Sequence, residues 1–163
     1  MLLKLKDKDT LVVDRFLFKC CVGKNGIKKK RKEGDKITPK GIYSLGKLYY
    51  RSDRVKKPLT KLSTKIITKD MGWCDDPDNI LYNKEIKINN KVECEKLFRK
   101  DNSYDYLIVI NYNTKNIVHG KGSAIFIHLT KNYKRTAGCI ALKKKDFLIL
   151  SKIININSKI KIN

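Results

Sequence analysis

The chain of 163 residues has little that staples, spans or bends a fold. Its five cysteines, Cys20, Cys21, Cys74, Cys94 and Cys139, are odd in number and contain no C-x-x-C pair. They therefore support neither a disulfide framework nor a zinc ribbon. Three Pro and nine Gly exclude a collagen-like or proline-rich chain. No apolar stretch approaches the roughly 18 residues of a membrane-spanning helix. The longest obvious run, Leu107 to Ile110, is far shorter. Charge interrupts the apolar residues of the first ten positions at once, so they hold no signal-peptide core. As written, the chain reads as cytoplasmic; a missing leader would place it in the periplasm or cell wall.

Acidic side chains are also scarce. Sixteen Asp and Glu face 38 Lys and Arg, a formal net charge of +22. Arg occurs only at 15, 31, 51, 54, 99 and 135, and Ala only at 124, 137 and 141. Lys, Ile and Asn, all abundant, have AT-rich codons, which offers a compositional source for part of the charge. A surface this positive attracts nucleic acid, anionic lipid or anionic wall polymer, and salt weakens that attraction.

What is present suits one domain, residues 1–163, large enough to bury roughly 70% of its unfolded surface. Apolar residues make up 41% and include eight Tyr and five Phe, too many for a disordered chain. Leu11 to Val13 and Phe16 to Phe18 read as short strands about an Asp14-Arg15 turn. Residues 23–41 read as a long loop carrying the basic run 28–32, a solvated face by composition. Within it, Glu33 and Asp35 shape the loop. Residues 72–78 read as a polar loop around Trp73, and 94–99 as one or two helical turns. Leu107 to Asn111 and Ala124 to Leu129 read as buried strands. Apolar steps of three and four over 144–154 predict a helix, and alternation over 159–162 a closing strand. The fold class is mainly β, a β-sandwich or open barrel, with one C-terminal helix and minor helical turns.

Two segments carry chemistry: Gly122-Ser-Ala-Ile-Phe-Ile-His128 and Thr136-Ala-Gly138-Cys139. An imidazole that takes a thiol proton makes sulfur a good nucleophile near neutral pH. Gly138 permits a sharp turn that aims backbone N–H groups at a developing oxyanion. On residue types alone, a strand-end histidine and a buried cysteine explain the same letters.

The segment resembles the catalytic signature of the L,D-transpeptidase (YkuD-type) domain. That family has a His on one strand, then a Ser/Thr-x-Gly-Cys turn; the matches here are His128, Thr136, Gly138 and Cys139. Upstream, Gly23 to Gly26, Lys32-Glu33-Gly34-Asp35, Thr38-Pro39-Lys-Gly41 and Tyr43 resemble further family blocks in order. Gly72 to Pro77 looks like a block of a small branch of the family. Ala137 stands where commoner members have the His of Ser-His-Gly-Cys, and Ala141 where they have an Arg. Lys131, Lys134 and Arg135 are the nearby cations available in its place.

The resemblance implies acyl transfer on peptidoglycan stem peptides or wall precursors through a thioester on Cys139. His128 would act as base, and the N–H groups of Cys139 and Gly138 as oxyanion donors. Thr136, Trp73, Asp75 and Arg135 are candidate substrate contacts, with Trp73 and Asp75 holding a cationic amine. No metal or organic cofactor, no specific nucleic acid and a monomeric state are expected. An L,D-carboxypeptidase on the same fold and a basic nucleic-acid-binding module are the alternatives. His119 reads as a solvated loop residue.

Overall fold

A computed structural model describes residues 1–30, 32–88 and 92–163. Its strands begin where apolar and charged residues alternate. In β1 (Leu2–Asp7), Leu3 and Leu5 point inward while Lys4 and Lys6 face water. The same period of two buries Leu11 and Val13 in β2 (Thr10–Val13), and Phe18 and Cys20 in β3 (Phe16–Cys21). The expected turn at 14–15 joins β2 to β3.

Two short parallel strands, β4 (Ile27–Lys28) and β5 (Thr38–Pro39), pair within the segment expected to be wholly loop. The long β6 (Gly41–Tyr50) follows, then β7 (Thr64–Ile66), β8 (Met71–Cys74), β9 (Glu85–Lys87) and β10 (Cys94–Lys96). β11 (Tyr106–Ile110), β12 (Phe126–Leu129) and β13 (Ile140–Leu142) lead into α1 (Lys144–Ile153) and β14 (Lys159–Ile162). Among the described residues α1 is the only helix. The helix and closing strand lie where the sequence periodicity places them.

The large sheet runs β11-β12-β13-β3-β2-β1-β14-β6, with β7 beyond β6. It returns on itself because β6, besides carrying β7, pairs with both β14 and β11. Its first half pairs with β14, and its second half with β11. The result is a closed, barrel-like wall that leaves few free edges. Ile108, Ile127, Ile140, Leu142, Phe147 and Leu150 belong to the interior core. Burial of Phe147 and Leu150 fixes α1 against it.

A second apolar cluster lies outside this wall. Leu107 and Val109 of β11, Phe126 of β12 and Cys139 join Met71, Trp73 and Leu97 of the β10-β8-β9 sheet region. Alternate residues of β11 and β12 thus serve two cores, which explains why β11 is buried along its whole length.

Three expectations are corrected here. Residues 94–96 form a strand, not a helical turn, with Cys94 opposite Cys74 and Lys96 opposite Gly72. A ladder to β8 satisfies their backbone, whereas an isolated turn of helix is unstable in water. Trp73 lies within a buried strand, not a polar loop: its indole N–H donates to Asn83 Oδ1 at 2.9 Å. In the basic run, Lys30 is buried against Asp35 at 2.5 Å and so is not part of a solvated face. Arg31 lies outside the described residues.

Candidate active site

β12 and β13 run parallel, with Ile127 opposite Ile140 and His128 opposite Ala141. Ile127 and Ile140 turn into the barrel, so His128, Ala141 and Cys139 turn outward together. Cys139 and His128 both line a cleft of about 400 Å3, with Glu95, Arg99, Tyr104 and Arg135.

The sulfur sits in a backbone cradle. Its S–H donates to Ala124 O at 3.2 Å, and the Phe126 N–H donates to Sγ at 3.3 Å. Burial pushes the Cys139 thiol far above its ordinary range, and the nearby Glu95 adds to this. His128 is affected in the complementary way: burial lowers it from 6.5 to about 4. The resting pair is therefore a neutral thiol and a neutral imidazole. A thiolate–imidazolium pair is disfavoured at rest, because burial penalises both charges there.

The imidazole is held from two sides. Nδ1 lies 2.9 Å from Leu129 O, a group that only accepts. In the neutral ring Nδ1 therefore carries the proton, and Nε2 keeps its lone pair. The Tyr104 ring meets His128 edge to face at 5.2 Å, and Phe126 likewise at 5.9 Å. The Tyr104 hydroxyl donates to Glu95, and the Arg99 guanidinium lies 5.1 Å from the Tyr104 ring centroid. Burial raises the Glu95 carboxyl above its usual range. Arg99 is also paired with Asp101 at 2.6 Å.

The turn before Cys139 is built from Thr136. Its Oγ1 donates to Cys139 O at 2.6 Å and accepts from Gly138 N–H at 3.1 Å. The Gly138 N–H is thereby committed, which removes it from the expected oxyanion donors. Gly138 has φ +146°, and a Cβ there would stand 3.0 Å from Ile37 O. Both features favour glycine over any residue with a side chain.

The structure gathers Cys139, His128, Thr136 and Arg135 at one cleft, with Gly138 in the turn beneath. Trp73 is instead packed on Phe126, ring to ring at 5.2 Å. Asp75 is half-buried after β8, raised by burial and by Glu33, Glu93 and Asp76. The two lie outside the cleft lining. Exposed His119 donates from Nδ1 to Pro77 O at 2.6 Å and stacks on Tyr82. Asp35 shapes its loop as expected, accepting from Ile37 N–H at 3.1 Å. Sequence reasoning missed Glu95, Arg99 and Tyr104. No motif marks them, since they reach the cleft through the pairing of β10 with β8 and the turn that follows.

Comparison with known proteins adds one match. The family model for the L,D-transpeptidase catalytic domain, YkuD, matches residues 2–162. No curated protein matches the chain.

Proposed function

We infer, from the premise that the chain belongs to the family of L,D-transpeptidase catalytic domains, that it is a cysteine acyltransferase acting on peptidoglycan stem peptides. The observation that carries this reading is the shared outward face of Cys139 and His128, two strand positions apart, opening into one cleft.

Substrate binding brings a carbonyl carbon to Cys139 Sγ. As the C–S bond forms, His128 Nε2 takes the thiol proton, so the charge pair arises only during attack. The carbonyl oxygen becomes an oxyanion, for which the Cys139 N–H is the donor we assign. The tetrahedral intermediate collapses, the C–N bond breaks, and His128 returns the proton to the departing amine. A thioester on Cys139 remains. The amine of a second stem then attacks it, giving a new amide and the free thiol.

The cations of the cleft support recognition of a substrate carboxylate. Ala141 stands opposite His128 and brings no charge. Arg135, exposed at the rim, and Arg99, behind Tyr104, approach from other elements and take that role. Thr136 serves by holding the turn, and Trp73 by supporting Phe126. Asp75 offers an acidic group beside the small sheet for a substrate amine.

A carbapenem tests the reading. The intact protein should gain one adduct, mapped to Cys139, and Cys139→Ala should gain none while keeping its circular dichroism spectrum. An adduct on Cys74 or Cys94, or none on folded protein, would refute it. Mass spectrometry of stem peptides then identifies the acceptor: dimers for an amine, trimmed monomers for water.

A further inference from the structure

We propose that Cys74 and Cys94 are a redox site, forming a reversible disulfide across β8 and β10. The two stand directly opposite in the antiparallel register. Leu97 N–H donates to Met71 O at 3.1 Å, so that pair is hydrogen-bonded. Paired positions alternate along an antiparallel ladder, which makes Cys94 and Cys74, three positions on, a non-hydrogen-bonded pair. Such pairs have Cα atoms about 4.5 Å apart. Disulfides span roughly 4.4–6.8 Å between Cα atoms.

The side chains also suit the bond. Paired residues project to the same face of a sheet. Cys94 Sγ already leans across β8, since a Cβ on Gly72 would lie 2.8 Å from it. The missing side chain at Gly72 provides the space. Cys94 is partly exposed and Cys74 fully buried, so one thiol meets the oxidant and the other resolves it. Cys20 and Cys21, as chain neighbours on one strand, face opposite sides, and Cys139 lies on a different element.

The oxidant is a low-molecular-weight disulfide. Cys94 thiolate attacks one of its sulfurs, forming a mixed disulfide and releasing one thiolate. Cys74 thiolate then attacks the Cys94 sulfur and expels the second. Two protein thiols are oxidised, one small disulfide is reduced to two thiols, and protons pass to solvent or to the released thiolates. Burial and the Asp75 carboxylate raise Cys94, so exchange quickens as pH rises. The product ties β10, and with it Glu95 of the cleft, covalently to β8.

The test is thiol counting on the full chain incubated with oxidised glutathione, near pH 8.5 for fast exchange. After denaturing alkylation, three of the five thiols should react, and peptide maps should contain a 74–94 cross-link. Dithiothreitol should restore all five. Cys139→Ala should keep the cross-link, whereas Cys94→Ser and Cys74→Ala should each lose it. Five reactive thiols in the wild type, a lasting glutathione adduct on Cys94 beside a reactive Cys74, or a bond to another cysteine would overturn the proposal. The readout needs no peptide substrate, so it stands or falls separately from the acyl-transfer reading.

Discussion

His128 stands directly opposite Ala141 in the parallel register of β12 and β13, and that pairing aims the imidazole at the same cleft as Cys139. The geometry is fixed by backbone ladders, not by side-chain contacts between the two groups. Reactivity therefore depends on how the cleft treats charge, and the first prediction follows from this.

With His128 lowered to about 4, the imidazole we propose as base stays neutral far below the range of an ordinary histidine. The carbapenem acylation rate constant should hold between pH 8 and about 5, then fall about tenfold per unit below about 4. A midpoint near 6.5, measured by stopped-flow over that range, would contradict the half-buried, neutral ring.

The same shift affects stability. A group whose folded pKa lies below its unfolded value binds more protons unfolded, so stability is full above 6.5 and declines as pH falls toward about 4. The loss is on the order of 2–3 kcal/mol. Urea unfolding at pH 7 and pH 4.5 should show a smaller difference in His128→Gln than in the wild type.

Thr136→Val keeps the shape of the side chain and removes both hydroxyl bonds to the turn. It should cost about 1–2 kcal/mol and slow acylation of Cys139, while Thr136→Ser should restore most of both. Equal rates in the Val and Ser variants would mean that the hydroxyl does not hold the turn before Cys139.

Gly138→Ala places a Cβ 3.0 Å from Ile37 O at φ +146°. The strain should cost about 1–3 kcal/mol, seen as a lower urea midpoint. An unchanged midpoint would show that the turn yields at no cost.

Arg135→Gln removes an exposed rim cation, and Arg99→Gln a cation over Tyr104. If they receive the substrate carboxylate, each should raise KM for a stem peptide about tenfold or more, with a smaller change in kcat. A change in kcat alone would assign them to the chemistry and not to binding.

The barrel was largely legible in the sequence because its strands carry their own signal. Ile160 and Ile162 alternate with lysines, and Phe147 and Leu150 lie a helical step apart. Residues 94–96 carry none, since Cys-Glu-Lys becomes a strand only when β8 lies beside it. Trp73 was misplaced for the same reason: neighbouring Asp residues suggested a loop, while Phe126, distant in sequence, decides its burial. Cys139 and His128, the nucleophile and base we propose, were picked out through the ordered family blocks. Tyr104 and Glu95 were not, because their meeting depends on a hydroxyl from a turn and a carboxylate from β10 that lie apart in sequence.

The placement of β14 bears on how the protein is made. It lies between β1 and β6, parallel to one and antiparallel to the other. β1 leaves the ribosome early, yet one of its edges must wait for residues 159–162 before it is covered. During synthesis that edge is an open template for strand exchange between nascent chains. Residues 159–162 thus act as the seam of the barrel, and ribosomes stalled before residue 159 should yield chains that associate or recruit chaperones, whereas chains that include β14 close on themselves.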